Sequence, residues 1–201
     1  MESAECSFLQ RWILMSRVSG KTSQARRIAN ANSLAAFGVD ATQPVNLRYE
    51  DVRIGNGPTL FTVGYERRDG EDLINALRDA GVDFLLDVRD RPFSRKPDFR
   101  EKALAAACSD AGIRYESWTR LGSTDHQREQ LRDSGDFSEF RRRFRDLAKR
   151  GRTDEIFALA ELTKKHSIAL ICYERCHGEC HRSIIAELVA EINDASITAI
   201  R

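Results

Sequence analysis

The chain has 201 residues, a formal net charge of +1 and nearly balanced basic and acidic residues. That size fits one well-buried core, and the balance excludes a whole-surface electrostatic footprint for nucleic acid or membrane. Five cysteines, an odd number with three in one loop, argue against a disulfide framework and for a reducing, cytoplasmic setting with a metal or catalytic role.

In chain order, residues 1–57 read as a partly helical N-terminal extension. Arg17, Lys21, Arg26 and Arg27 lie among Ser, Ala and Asn, and GNGP at Gly55 to Pro58 closes the segment. Its basic groups read as a solvated face. The apolar patch from Phe8 to Met15 is interrupted by Gln10 and Arg11, and neither a signal peptide nor a membrane span is expected. Residues 58–201 read as a single α/β domain. Leu60 to Val63 predicts a short strand ending at Gly64, and Asp69 offers the N-cap of a helix carrying Leu73, Ile74, Leu77 and Ala80 up to Gly81. Val82 to Arg89 predicts a second buried strand, completing a βαβ unit.

The proline-broken DRPFSRKPDFR run after Arg89 predicts a loop at a strand's carboxyl end. A helix over 101–111, a strand over 113–118 and a polar loop over 119–133 follow. Two amphipathic helices come next, one with Phe137, Phe140, Phe144 and Leu147 on its apolar face and one with Ile156, Phe157, Leu159, Ala160 and Leu162. The phenylalanine stripe reads as core. Ile168 to Ile171 is the continuous apolar run of a doubly covered strand, and Ile184, Ile185, Leu188, Val189 and Ile192 recur at helical spacing. SITAI near the end predicts a last, edge strand. The whole is a Rossmann-like three-layer fold with a mostly parallel sheet.

Between the central strand and its helix lie Cys172, Glu174, Cys176, His177, Glu179, Cys180, His181 and Arg182, where open α/β sheets bind ligands. His181 and Arg182 sit in the first helical turn, where the macrodipole already presents positive charge, and this suggests an anion to be held. Three chemical readings stay open. A zinc or iron–sulfur site would need about four converging ligands. The C-x3-C-x3-C-H spacing lacks paired C-x2-C knuckles, so no metal and no cofactor is assigned. Alternatively, Cys176 to Ser183 is formally a C-x5-R-[ST] loop, the pattern of tyrosine phosphatases, with Glu179 standing where small residues are usual. In the third reading Glu174 is a catalytic carboxylate, and Arg89, Arg95 and Arg182 hold a phosphate or carboxylate ligand. The competing explanation of those arginines is an internal ion-pair network.

TVGYE at Thr62 to Glu66, DVRDRPFSRKPDF at Asp87 to Phe99, GIRY at Gly112 to Tyr115, LG at Leu121 and Gly122, and C-x-E with C-H-R-S at Cys172, Glu174 and Cys180 to Ser183 resemble the domain of unknown function 488 family from about Leu60 onward. The resemblance implies a compact α/β fold with a polar pocket formed by Tyr65, Glu66, Asp87, Arg89, Pro92, Ser94, Arg95, Phe99, Cys172, Glu174, Cys180, His181 and Arg182. It supplies no reaction. Cys176 is not among the family's positions, which weakens the phosphatase reading.

The lead expectation is an enzyme acting on a nucleotide or nucleic-acid-derived substrate, most specifically an N-glycosidase-like hydrolase or transferase. Glu174, Cys180, Tyr65 and Glu66 would be catalytic, with Tyr65 able to stack on a base, and Asp87, Arg89, Ser94, Arg95, His181 and Arg182 would bind substrate. The partner is a phosphate-bearing small molecule or nucleic acid, not a membrane. The alternatives are cysteine-dependent phosphatase or sulfur-transfer chemistry, and a metal-binding or ligand-sensing module without catalysis. Four further expectations follow: Arg89, Arg95 and Arg182 converge, Cys180 has a depressed pKa, Cys108 is inert, and Glu174 is ionised at neutral pH.

Overall fold

The computed structural model describes residues 49–201. The expectations placed on Phe8 to Met15, on Cys6 and on the basic groups from Arg17 to Arg27 lie outside the described residues. Six strands form one sheet in the order β1-β6-β2-β5-β3-β4. They are β1 (Tyr49–Arg53), β2 (Thr59–Gly64), β3 (Phe84–Asp87), β4 (Arg114–Ser117), β5 (Ile168–Cys172) and β6 (Ser196–Ile200). Every pairing is parallel except that of β1 with β6. The helices are α1 (Gly70–Asp79), α2 (Glu101–Asp110), α3 (Asp125–Ser134), α4 (Phe137–Gly151), α5 (Thr153–Leu162) and α6 (His181–Asn193). The mixed α/β fold agrees with the expected Rossmann-like class.

The period of a strand explains the layers. Phe84 and Leu86 face one way with Ile168 and Leu170, against α4, α5 and α6. Leu85, Ala169 and Ile171 face the other way, against α1 and α2. Because both sides of β5 are covered, all five of its residues are buried, and an uninterrupted apolar run is what such a strand requires. Helix starts obey local chemistry as well. Asp69 caps α1 by accepting from the Asp72 amide at 2.8 Å, and acidic Glu71 and Asp72 lie in its first turn.

Four expectations need correction. The stretch over 119–133 is not a loop but a 3-10 turn at Thr119–Leu121 followed by α3, which opens with a Thr124/Gln127 capping box. SITAI is a strand, β6, yet not an edge: it lies between β2 and β1. The edge belongs to β1, drawn from the stretch read as extension, so the compact unit begins before Pro58. On the amphipathic helices, Phe144 is fully buried, whereas Leu147 and Phe157 face solvent at 42% and 52% exposure. Beside its buried Phe144 and Ala148, α4 carries arginines that pair with α6, Arg141 to Glu187 and Arg145 to Glu191. No helix of the described residues is long and apolar enough to cross a membrane.

Parallel register brings the functional stretches together. Gly64 pairs with Cys172, and Asp87 with Ile171. Tyr65, Val88 and Tyr173 therefore leave the same sheet edge. Backbone bonds extend the ladder past the strands: the Tyr65 amide donates to the Cys172 carbonyl (3.2 Å), Glu66 to Tyr173 (2.9 Å) and Val88 to Ile171 (3.3 Å). Gly64 permits this closure, since a Cβ there would meet the Glu174 carbonyl oxygen at 2.0 Å. Gly122 plays the same part beneath the β3 loop, where a Cβ would lie 2.1 Å from the Asp90 amide nitrogen.

Candidate active site at the carboxyl edge of the sheet

Two polar assemblies sit on this edge. The first closes the end of β3. Asp87, fully buried, accepts from the Arg89 Nε (2.8 Å) and Nη2 (2.5 Å) and from the Tyr115 hydroxyl (2.8 Å). Arg89 also donates to the Tyr65 hydroxyl (3.2 Å) and the Phe99 carbonyl (2.9 Å). Burial works against the guanidinium charge, but the Asp87 carboxylate outweighs it and holds the Arg89 pKa above its ordinary value. The same burial and carboxylate push the Tyr115 phenol up. Tyr65 stacks on Phe99 with centroids 4.3 Å apart and is only 3% exposed. It is a wall of this network and does not present a free face to a base.

The second assembly lies between the end of β5 and the start of α6. Cys172, Cys180, His181 and Arg182 are 5%, 2%, 4% and 1% exposed. His181 brings its Nε2 to 2.8 Å from the Val88 carbonyl oxygen, tying α6 to the end of β3. Its Nδ1 faces both sulfurs, 3.7 Å from Cys172 and 3.8 Å from Cys180. The Cys172 thiol donates to the Glu174 Oε2 at 3.2 Å. Arg182 donates to the Glu174 and Arg175 carbonyls at 2.6 and 3.3 Å, and its buried Nε has no hydrogen-bond partner.

Protons are unevenly shared among these groups. Its hydrogen bond to Cys180 and burial push the Cys172 thiol up. Burial works the same way on Cys180, but the Cys172 hydrogen bond and the charges of Arg182 and His181 hold it well below an ordinary thiol. The depressed pKa expected of Cys180 is therefore present, although its sulfur is not open to solvent. Glu174 departs from expectation: burial and the neighbouring Cys180 push its carboxyl up to about 7, so it is not fully ionised at neutral pH. A carboxyl so placed can both give and take a proton. Cys108, on α2, is fully buried and pushed up to about 12, first by burial and then by Asp87, in keeping with an inert thiol.

The remaining expected residues brace the edge. Glu66 accepts from the Arg175 amide at 3.0 Å and anchors the β5 loop. Ser94, 8% exposed, accepts from the Lys96 amide at 3.1 Å and turns the β3 loop. Arg95 is exposed. The three arginines thus do not form one open anion pocket. Arg89 is spent on Asp87 and on the α1–α2 side of the sheet, Arg182 donates to carbonyls of the loop just after β5, and an ion-pair network accounts for Arg89.

Two features were not expected. Tyr173 is 49% exposed and meets the Tyr65 ring edge-on at 5.4 Å, which puts an open aromatic face one residue before Glu174. Its signal was its place in C-Y-E, between two site residues. His177 is buried, with its Nδ1 2.8 Å from the Thr62 hydroxyl and its Nε2 unpartnered. Burial and the charge of Arg182 lower its pKa to about 4. Along the β3 loop a surface cavity of about 450 Å³ is lined by Arg91, Phe93, Arg100 and Lys102 together with the acidic Asp90 and Glu101. Arg100 lies over the exposed Phe93 ring, 5.7 Å from its centroid.

No curated protein and no solved structure matches the chain. A family profile, Domain of unknown function DUF488, matches residues 69–189, taking in Asp87 to Phe99 and the whole β5–α6 cluster. TVGYE at Thr62 to Glu66 lies just outside the matched span. With its larger part covered in this way, the chain belongs to the domain of unknown function DUF488 family.

Proposed function

We propose that the protein is an enzyme in which Glu174 moves a proton on a nucleotide or nucleic-acid-derived substrate, N-glycosidic hydrolysis or transfer being the most specific form. The observation that carries this reading is the placement of Glu174. It is the partly exposed carboxyl of an otherwise buried reactive cluster, at the edge where parallel sheets take ligands, directly after an open aromatic ring. Tyr173 takes the stacking role first expected of Tyr65. Phosphate contact passes from Arg89 and Arg182 to the β3 loop, whose Phe93-bearing cavity is of ligand size and sets Arg91, Arg100 and Lys102 against Asp90 and Glu101. A cytoplasmic setting belongs to the proposal and suits the free Cys108, Cys172, Cys176 and Cys180.

The test is turnover in a panel of nucleosides, nucleotides and single- and double-stranded DNA. Glu174→Gln keeps size and most hydrogen bonds, so it should fold and bind yet lose at least about a hundredfold in turnover, the scale of one positioned acid–base group. Retained turnover would sink the assignment. A second reading, thiol chemistry on phosphate or sulfur, draws on the low pKa of Cys180. It needs a motion that uncovers the sulfur, and turnover lost in Cys180→Ser but kept in Glu174→Gln would favour it.

A further inference from the structure

We propose that Cys172, Cys180 and His181 bind one divalent metal ion, zinc by the chemistry of the donors, with the remaining coordination position facing Glu174. Two thiolates and an imidazole are soft to borderline ligands that select zinc over magnesium or calcium. The two sulfurs and the His181 nitrogen all lie within 4.8 Å of one another. The sulfur–nitrogen distances of 3.7 and 3.8 Å are the more telling measure. A tetrahedral ion with Zn–S of about 2.3 Å and Zn–N of about 2.0 Å has a sulfur–nitrogen edge of about 3.5 Å. Both sulfur–nitrogen edges therefore already have nearly the length that such a polyhedron needs.

The surroundings supply what a metal-bound histidine and a buried charge need. The His181 Nε2 lies 2.8 Å from the Val88 carbonyl oxygen, an acceptor only, so Nε2 carries hydrogen and the Nδ1 lone pair is left for the ion. This is the usual outer contact of a histidine ligand. Two thiolates neutralise a dication. The charge of Glu174 is then matched by Arg182, which is 1% exposed and hydrogen-bonds only carbonyl oxygens. Glu174 is less buried than the three ligands, so the ion enters from its side. Cys176, half-buried and set apart by the turn at His177–Glu179, is not needed. A three-ligand site with an open fourth position is the arrangement of catalytic zinc, and this part of the inference rests on the proposed role of Glu174. The ion's presence does not.

The experiment uses the full chain, reduced, stripped with a chelator and titrated with Co²⁺ and then Zn²⁺. One equivalent of Co²⁺ should give a near-ultraviolet thiolate-to-cobalt charge-transfer band and intense visible bands of a tetrahedral ion, and Zn²⁺ should bleach both. Cys172→Ser and Cys180→Ser should each lose most of the charge-transfer intensity, while Cys176→Ser and Cys108→Ala keep it. Should either serine variant misfold by circular dichroism, zinc protection of Cys172 and Cys180 from alkylation in the natural chain decides in its place. A folded protein with no thiolate band, a band that survives both serine variants, or alkylation unaffected by zinc would overturn the proposal. The Glu174→Gln variant separates the two readings. A cobalt band with undiminished turnover retains the metal and removes the acid–base role, whereas lost turnover in a protein that binds no cobalt does the reverse.

Discussion

The two polar assemblies on the sheet edge are built from similar residues and do opposite things. At the end of β3 every charge has its partner: Arg89 grips Asp87 through two nitrogens, and Tyr115 and Tyr65 complete their hydrogen bonds. At the end of β5 the buried cation Arg182 meets carbonyl oxygens, and two thiols, an imidazole and a carboxyl compete for protons. Charge that is satisfied inside the fold is scaffold. Charge and lone pairs left facing one another are the material of a site. Residue type alone does not separate the cases, since Arg89 and Arg182 look equivalent in the sequence.

The largest expected effect breaks the first assembly. Asp87→Asn strands the Arg89 guanidinium in a buried setting and should cost about 3–5 kcal/mol in denaturant unfolding, the scale for removing one partner of a buried ion pair. A loss below about 1 kcal/mol would show that Arg89 finds other compensation. Next is Gly64→Ala. Its Cβ would strike the Glu174 carbonyl, and the overpacking should cost roughly 1–3 kcal/mol while displacing Glu174, so turnover should fall along with stability.

Acid sensitivity sharpens the contrast between the two ends. His177 is buried against Thr62, with Arg182, Cys180 and Arg141 as the charges that act on it, and its pKa falls to about 4. The unfolded chain binds its proton near pH 6.5 and the folded chain does not, so stability present above pH 6.5 drains away as pH falls toward 4. Between pH 7 and pH 5 the part due to His177 should be a loss of about 2 kcal/mol, opposed by Glu174, whose raised carboxyl pKa adds stability as pH falls through the same window. His177→Gln should remove that part, so that unfolding midpoints at pH 5 rise relative to those at pH 7 when compared with the natural chain, and an unchanged pH dependence would contradict the assignment. Tyr115→Phe removes one hydrogen bond to Asp87 and should cost the least, about 1–2 kcal/mol.

How much of this was legible in the sequence follows the same physics. Strands covered on both sides announced themselves as apolar runs, and α1 by its Asp69 cap. Helix α3 was missed because none of its residues is buried, so no apolar stripe marked it; only Thr124, Gln127 and Gly135 did. Strand β1 is a polar, antiparallel edge, and SITAI was read as an edge because nothing in YEDVR announces a partner for it. At the site, the crowding of Cys172 to Arg182 was plain. Which groups would satisfy one another was not, because the Asp87–Arg89 pair and the His181–Val88 contact depend on rotamers and on register between distant strands.

The central claim is that function belongs to the β5 end and not to the β3 end. The most direct measurement is turnover per folded molecule of Glu174→Gln beside the natural chain, with unfolding midpoints recorded on the same samples. The account predicts a midpoint near the natural one and turnover reduced at least about a hundredfold. Unchanged turnover, or a loss of turnover no greater than the loss of folded protein, would contradict it.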